Sequence, residues 1–361
     1  MFKKLKFKLK RGNMDYQGLN PTYLSQEFLY PVDSIEGRPE AHASTIIDGG
    51  VEGDTQTLYC AWFCGTREGN IDVAIMFSKI NYKIPDHIDK STSIEYKYSK
   101  PQIIADDPQR ACGNPVIHLD KKGRLHLWYA AFYARNDPQG RKKQRKIFYQ
   151  ISDDLGKTWT KPDIFSDRDG LWVRNPILVL QNGTWILPMN DETTYLPEYK
   201  TDWSSRFARS EDRGKSWEFS KLYSIEGGMI QPCLVQFNDG EIYCVNRTKT
   251  KFIADMRSYD NGENWTSPQN TELPNPNSCV AICKNQKNHI ILIYNPLTRG
   301  RDVLSVAISK SKGEGWKRLF DLQEEKWCEF SYPCIMQTRD GIIHSTYTYK
   351  RKTISHDAFV L

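Results

Sequence analysis

The sequence contains no apolar run approaching the 18 or more residues that a membrane-spanning helix needs, and no glycine-rich loop of the kind that cradles phosphates. Its nine cysteines are an odd number and fall singly in strand-like stretches such as 58–64 and 231–237. That spacing suits neither a zinc site nor a small disulfide scaffold, so reduced, buried thiols are expected. His118, His126, His289 and His344 lie in apolar strand contexts and form no ligand set, so no metal or other cofactor is expected. Excess charge is also missing from most of the chain. Of 50 basic residues, Lys3, Lys4, Lys6, Lys8, Lys10 and Arg11 crowd the start, which leaves 44 basic against 44 acidic residues in the remainder. A neutral body argues against nucleic acid as a partner.

The basic stretch, Met1 to Asn13, alternates Lys with Phe2, Leu5, Phe7 and Leu9. It lacks the continuous apolar core of a secretion signal, which points to a cytoplasmic protein. Residues 1–20 read as a solvated, flexible tail, with contact to an anionic membrane surface or a polyanion as the alternative.

What the chain has in abundance is repetition. Residues Ser152 to Trp159 read Ser-Asp-Asp-Leu-Gly-Lys-Thr-Trp, and the pattern of small polar residue, Asp, Gly and Trp returns at Ser210 to Trp217 and Ser258 to Trp265. A worn copy, Ser309 to Trp316, has Ser311 where the Asp stood. The four tryptophans are 58, 48 and 51 positions apart, a period that implies one small sheet per unit. Each copy makes sense as a turn. Asp bonds backbone amides, Gly supplies a positive φ, and Trp plugs the gap between neighbouring units.

Between the boxes the chain repeats a short apolar strand, a Gly or Asp-Gly turn, a second strand, and a third strand running into the next box. The opening strands begin at His42, Asn114, Asn175, Gln231, Asn277 and Tyr332, and the second strands are 58–64, 125–132, 184–189, 241–246, 290–294 and 342–347. Six such units arranged radially make an all-β, six-bladed propeller over residues 21–361. Tyr23 to Tyr30, bracketed by prolines, is placed as an added outer strand that closes the ring. Two polar insertions, 83–100 and 191–203, either line the mouth or are solvated surface.

Equivalent starting positions on the inner strands face one end of the central channel. All six are polar or amphipathic where the following residues are apolar, so a polar ring is expected at a concave mouth. Arg67, Arg247 and Arg301 fall at the same end, and converging guanidinium forks suit a carboxylate-bearing ligand. Glu192 lies in the second insertion and Glu68 beside Arg67.

The boxes resemble the Asp-box of the sialidase (neuraminidase) superfamily. Over residues 38–361, the runs His42-Ala-Ser-Thr, Trp62-Phe-Cys-Gly-Thr-Arg67-Glu68-Gly, Leu273-Pro-Asn-Pro-Asn-Ser278, Tyr294-Asn-Pro and Glu329-Phe-Ser-Tyr332-Pro are similar to a predicted-neuraminidase subgroup of bacterial Asp-box proteins. Sialidases hold the sugar carboxylate with three arginines and use a Tyr nucleophile assisted by a Glu, an Asp acid/base, and a second Glu that steadies the first arginine. By that resemblance Tyr332 is the nucleophile, Arg247 and Arg301 are the second and third arginines, and Asp72 is the acid/base. Three positions depart from the pattern. The first arginine falls on His42, the partner of the nucleophile on Gln231, and the steadying Glu on or beside Thr348.

Three functions follow as expectations. The first is an exo-glycosidase that hydrolyses a terminal acidic sugar from a glycan or oligosaccharide, with Asp72 or Glu68 protonating the leaving oxygen and Asn114, Asn175, Gln231, Asn277 and Glu192 binding substrate. The second is a lyase cutting beside a uronic acid, with Tyr332 and His42 exchanging protons. The third is a glycan-binding propeller without catalysis.

Overall fold

In each of the first three boxes the side chains close the same small ring of hydrogen bonds. Ser152 Oγ donates to Asp154 Oδ1 at 2.8 Å and accepts the Gly156 amide at 2.7 Å, while Asp154 accepts from the Thr158 amide and hydroxyl at 2.8 and 2.6 Å. Asp212 and Asp260 repeat these contacts with Ser216 and Asn264. The hydrogen bonds from Thr158 and Ser216 hold the carboxyls of Asp154 and Asp212 well below the usual value. In the worn copy Ser309 Oγ still accepts from the Gly313 amide, at 2.9 Å, and donates instead to the Glu314 carbonyl at 2.6 Å.

The glycine serves twice. Gly156 has φ 87°, and a Cβ there would lie 2.6 Å from the Phe77 ring of the preceding blade. At Gly262 the clash would be with Ile186 at 2.4 Å, and at Gly313 with Tyr243 at 2.5 Å. These three boxes therefore seat their blades against the ones before, whereas Gly214 lies against Trp185 of its own blade. Trp265 stacks on Phe207 at 4.2 Å, and Trp159 meets Phe77 edge-on at 6.0 Å.

The computed structural model describes residues 21–89, 91–141 and 144–361. It is all-β, with six antiparallel sheets arranged as a propeller and one turn of 3-10 helix at Pro197–Tyr199. The basic tail expected over residues 1–20 lies outside the described residues. Blade 6 closes the ring: Thr22–Phe28 pairs with Thr353–Val360, so the first described strand is the outer strand of the last blade. Tyr23 donates to the buried Asp357, and Gln26 Nε2 donates to Tyr347 Oη at 3.1 Å and Ser355 Oγ at 3.2 Å. All nine cysteines are free, and all but Cys328 are buried.

The inner strands correct the expected register. They begin before the polar residues, at Glu40–Glu52, Arg110–Leu119, Met229–Gln236 and Phe330–Gln337. The polar residues sit inside them at bulges. In these four strands the pairing skips residues 43–44, 114–115, 231–232 and 332–333, two residues facing one on the neighbouring strand. The first residue of each bulge has positive φ: Ala43 55°, Asn114 51°, Gln231 58° and Tyr332 54°. Asn277, φ 61°, precedes the strand Ala281–Lys284. The equivalent of Tyr332 in blade 1 is thus Ala43, and His42 stands one place earlier. Blade 3 differs again. Its inner strand is split into Leu171–Val173 and Leu178–Val179, with Asn175 between them and outside the left-handed region. Insertion 83–100 adds the strand Tyr96–Tyr98 beside Ala74–Lys83, and Tyr96 and Tyr98 pack on His356.

Burial pushes the Asp357 carboxyl up to about 7, against the hydrogen bonds from Tyr23, Ser355 and Tyr347. The unfolded value is about 3.9, so the native state keeps a proton that the unfolded chain releases between those pH values. Stability from this group is full below pH ~4 and is lost as pH rises to about 7. Burial lowers His344 to about 3, which tilts the same window the other way. The measurement is therefore a difference. Denaturant melts of the parent protein and Asp357→Asn should diverge from pH 4 to 7, the parent losing at most about 1.4 kcal/mol per pH unit relative to the variant. Parallel curves would mean Asp357 is ionised in the fold.

Candidate functional site

The bulges aim side chains into the mouth of the ring. A left-handed residue at the head of a bulge turns its side chain out of the normal alternation, a device common beside functional sites, at a cost of about 1–3 kcal/mol for a residue other than Gly. A cavity of about 200 Å³ opens there, lined by Glu68, Asn114, Arg135, Glu192, Gln231, Arg247 and Tyr332 among polar groups and by Phe63, Phe132, Trp172 and Trp203 among aromatic ones. Glu192 and Trp203 come from insertion 191–203, so that insertion lines the mouth. None of the lining residues comes from insertion 83–100.

Arg247 organises the wall. Its Nη1 donates to Tyr332 Oη at 2.8 Å and to Gln231 Oε1 at 3.2 Å, and its Nε to Asn277 Oδ1 at 2.7 Å. Gln231 Nε2 donates to the same phenolic oxygen at 3.4 Å. Arg247, Gln231 and Tyr332 are all buried. The hydrogen bonds of Arg247 go to neutral groups. Arg301 stands 5.5 Å from the centre of the Tyr332 ring, with Nη2 on the Asn277 carbonyl at 3.0 Å and Nη1 on Glu329 Oε1 at 2.9 Å.

Arg351 went unnoticed in the sequence. It lies in the tight turn between the last two strands with φ 56°, where its Nε donates to Glu329 Oε2 at 2.7 Å and its Nη1 to Glu68 Oε2 at 2.8 Å. Its one signal was the basic pair Lys350-Arg351 just beyond Thr348, which gives no cue to the partner. Burial pushes the Glu329 carboxyl up, but the charges of Arg301 and Arg351 and the Arg351 hydrogen bond outweigh it and leave it below the usual value. Glu329 is thereby engaged with two arginines and a 2.6 Å hydrogen bond from Ser331. Arg174 was also missed. Its guanidinium is buried on the ring axis and donates to the carbonyls of Ser44, Tyr332 and Pro333.

His42 and Thr348, the two departures from the expected arginine and its Glu, are in contact: Thr348 Oγ1 lies 2.8 Å from His42 Nδ1. The His42 ring packs on Tyr332 with centres 4.1 Å apart, is 1% exposed, and has no hydrogen-bond partner at Nε2 among the described residues. Burial, then the charges of Arg351, Arg301, Arg174 and Arg247, hold its imidazole well below the usual value. His42 is therefore a neutral group sealed behind Tyr332, not a proton donor facing the cavity.

Three other expectations change. Asp72 does not line the cavity; its carboxylate accepts from the Thr66 amide and hydroxyl at 2.5 and 2.7 Å and staples the 66–72 loop. Arg67 is exposed and outside the wall. Asn175 is buried, its Nδ2 on the carbonyls of Gln231 and Pro232 at 3.0 Å each, so it binds backbone. Glu68 lines the cavity with a half-exposed side chain, and Glu192 is held by Arg145 and Asn190.

Residues 56–345 match the model of a BNR repeat-like domain. The chain belongs to this family. BNR-repeat relatives bear out a sialidase-like propeller. Anhydrosialidase of Macrobdella decora is 26% identical over 225 residues, a match that spans 55% of this chain and 29% of the relative's length. Among solved structures, a protein of unknown function from Dyadobacter fermentans superposes with a TM-score of 0.74 over 94% of this chain and 99% of its own, at 14% identity. The Hadza microbial sialidase Hz136 gives 0.72 over 92% and 68%, also at 14%. The leech intramolecular trans-sialidase gives 0.68 over 93% and 70%, again at 14%. At such identities the structural likeness speaks for the fold.

The neutral state of His42 is directly observable. Its ring nitrogen resonances should not titrate between about pH 5.5 and 8, where an ordinary histidine does. A midpoint inside that window would return His42 to the set of proton donors.

Proposed function

We propose that this chain is an exo-glycosidase that hydrolyses a terminal, carboxylate-bearing sugar from a glycan. The observation that carries the reading is Arg247, a buried guanidinium on the cavity wall whose hydrogen bonds all go to neutral groups. A buried charge without a counter-ion is costly, and a bound carboxylate supplies the missing partner. Arg301 and Arg351 reinforce the field: with Arg174 and Arg247 they make four guanidinium groups near the carboxylates of Glu68 and Glu329. The names of sialidase relatives support the same substrate class.

In this reading Arg247 and Arg301 hold the carboxylate and Tyr332 fronts the anomeric carbon. Gln231 takes no proton, so the carboxylates on the wall carry the proton transfers: as Tyr332 Oη attacks the anomeric carbon, Glu192 takes its proton and Glu68 protonates the leaving oxygen, and water then cleaves the tyrosyl–sugar bond and restores the phenol. Trp172 and Trp203 give the sugar apolar faces to rest on. Elimination loses its main support, because His42 is shielded from the cavity.

The test is mass spectrometry of digests of sialylated and uronate-containing oligosaccharides in water enriched in heavy oxygen. One label per cleavage is expected. An unlabelled product lacking one water would overturn hydrolysis, and ultraviolet absorbance would then separate an unsaturated uronate from an anhydro sugar of the kind bound in the leech structure. No product from any substrate would favour a binding module. Arg247→Ala should lower kcat/KM by about 10²-fold through loss of a buried charge contact. Tyr332→Phe should abolish turnover while binding of the free sugar stays within about threefold.

A further inference from the structure

Blade 3 breaks the pattern of its neighbours, and the two residues at the break, Arg174 and Asn175, reach out of it. Arg174 Nη2 donates to the carbonyls of Tyr332 at 2.7 Å and Pro333 at 3.1 Å, and Nη1 to that of Ser44 at 3.0 Å. Asn175 Nδ2 donates to those of Gln231 and Pro232. These acceptors are the bulge residues of blades 6, 1 and 4. Both side chains are 1% exposed. Arg174 makes no ion pair among the described residues, and its guanidinium carbon lies 5.3 Å from the centre of the Tyr332 ring.

We infer that Arg174 and Asn175 are positioning residues: from the ring axis they fix the left-handed bulges that present Tyr332 and Gln231 to the cavity. The physical reason is that a left-handed Tyr or Gln is unfavourable unless its surroundings over-determine it. Bulge carbonyls lie outside the sheet ladder and need donors where water is excluded. A rigid guanidinium fork meets three carbonyls at once; a lysine ammonium, a point donor on a flexible stem, has no such planar geometry.

This inference rests on the proposed glycosidase reading for its kinetic consequences but not for its structural one. The experiment compares the parent chain with Arg174→Lys, each carrying 3-fluorotyrosine at position 332. Fluorine NMR reports the ring's surroundings, and kinetics are measured on whichever acidic glycan the parent cleaves. Arg174→Lys should shift or broaden the fluorine line and cut kcat per folded molecule by about 10²-fold, with KM within about threefold. A merely structural residue would lower the melting temperature and leave both unchanged in the folded fraction, which would overturn the inference. Should Arg174→Lys fail to fold, Asn175→Ala is read in its place. A changed fluorine line is expected there, since Gln231 donates to the Tyr332 oxygen; an unchanged one overturns the inference. If the parent cleaves nothing, the fluorine line still decides the positioning role, and only the glycosidase reading falls.

Discussion

A backbone conformation, repeated around a ring, is the constraint on which the site depends. Four inner strands each contain a two-residue bulge whose first member is held at φ between 51° and 58°. A regular strand would point alternate side chains into the wedges between blades, leaving an apolar channel. The bulge resets that alternation at one level of the ring, so Asn114, Gln231 and Tyr332 face the cavity while the residues after them return to the core. The Asp-boxes do a separate task. Three of them seat their blade on its predecessor through a glycine, Gly156, Gly262 or Gly313, that no other residue can replace without striking Phe77, Ile186 or Tyr243. The rigid ring is what lets strained backbone persist at the mouth.

Electrostatics then shapes what the mouth binds. Arg301 and Arg351 share Glu329, and Arg351 also holds Glu68, so these guanidinium groups are oriented by fixed carboxylates. Arg247 has no such anionic partner among the described residues. Under the proposed reading, Arg247 beside two guanidinium groups that are already steered would meet an anionic ligand with little reorganisation. Burial first, and then the same field, keeps His42 neutral, which leaves no further positive charge directly behind Tyr332.

The fold was legible because its signals are carried by side chains. Box residues bond one another within eight positions, and the apolar runs match the second strands to within a few residues. The register of the inner strands was not legible, since a bulge is a backbone event. Matching polar residues selected His42, whereas the backbone equivalent is Ala43, a residue with no chemical signature. Arg247, Gln231 and Tyr332 line one cavity, and the blades that carry them share that bulge. Arg174, Asn175 and Arg351 reach across blades far apart in sequence, and nothing local marks the carbonyl or carboxylate they meet. Asp72 misled for the opposite reason: its partner, Thr66, is local, and the loop consumes its carboxylate.

The contact between His42 and Thr348 shows how the ring absorbs such changes. An arginine and a glutamate, the pair expected at these two positions from the sialidase resemblance, would be a salt bridge behind the tyrosine; here a neutral imidazole and a hydroxyl close the same gap at 2.8 Å, and Thr348 also accepts the Ala43 amide within the bulge. Exchanging a buried ion pair for a neutral one removes two desolvation costs at once. A positive charge is nevertheless available close by, on Arg351, which enters from the turn of the last blade and brings Glu329 and Glu68 as its partners. The positive charge beside His42 thus comes from the tight, left-handed turn of blade 6 and not from the inner strand of blade 1.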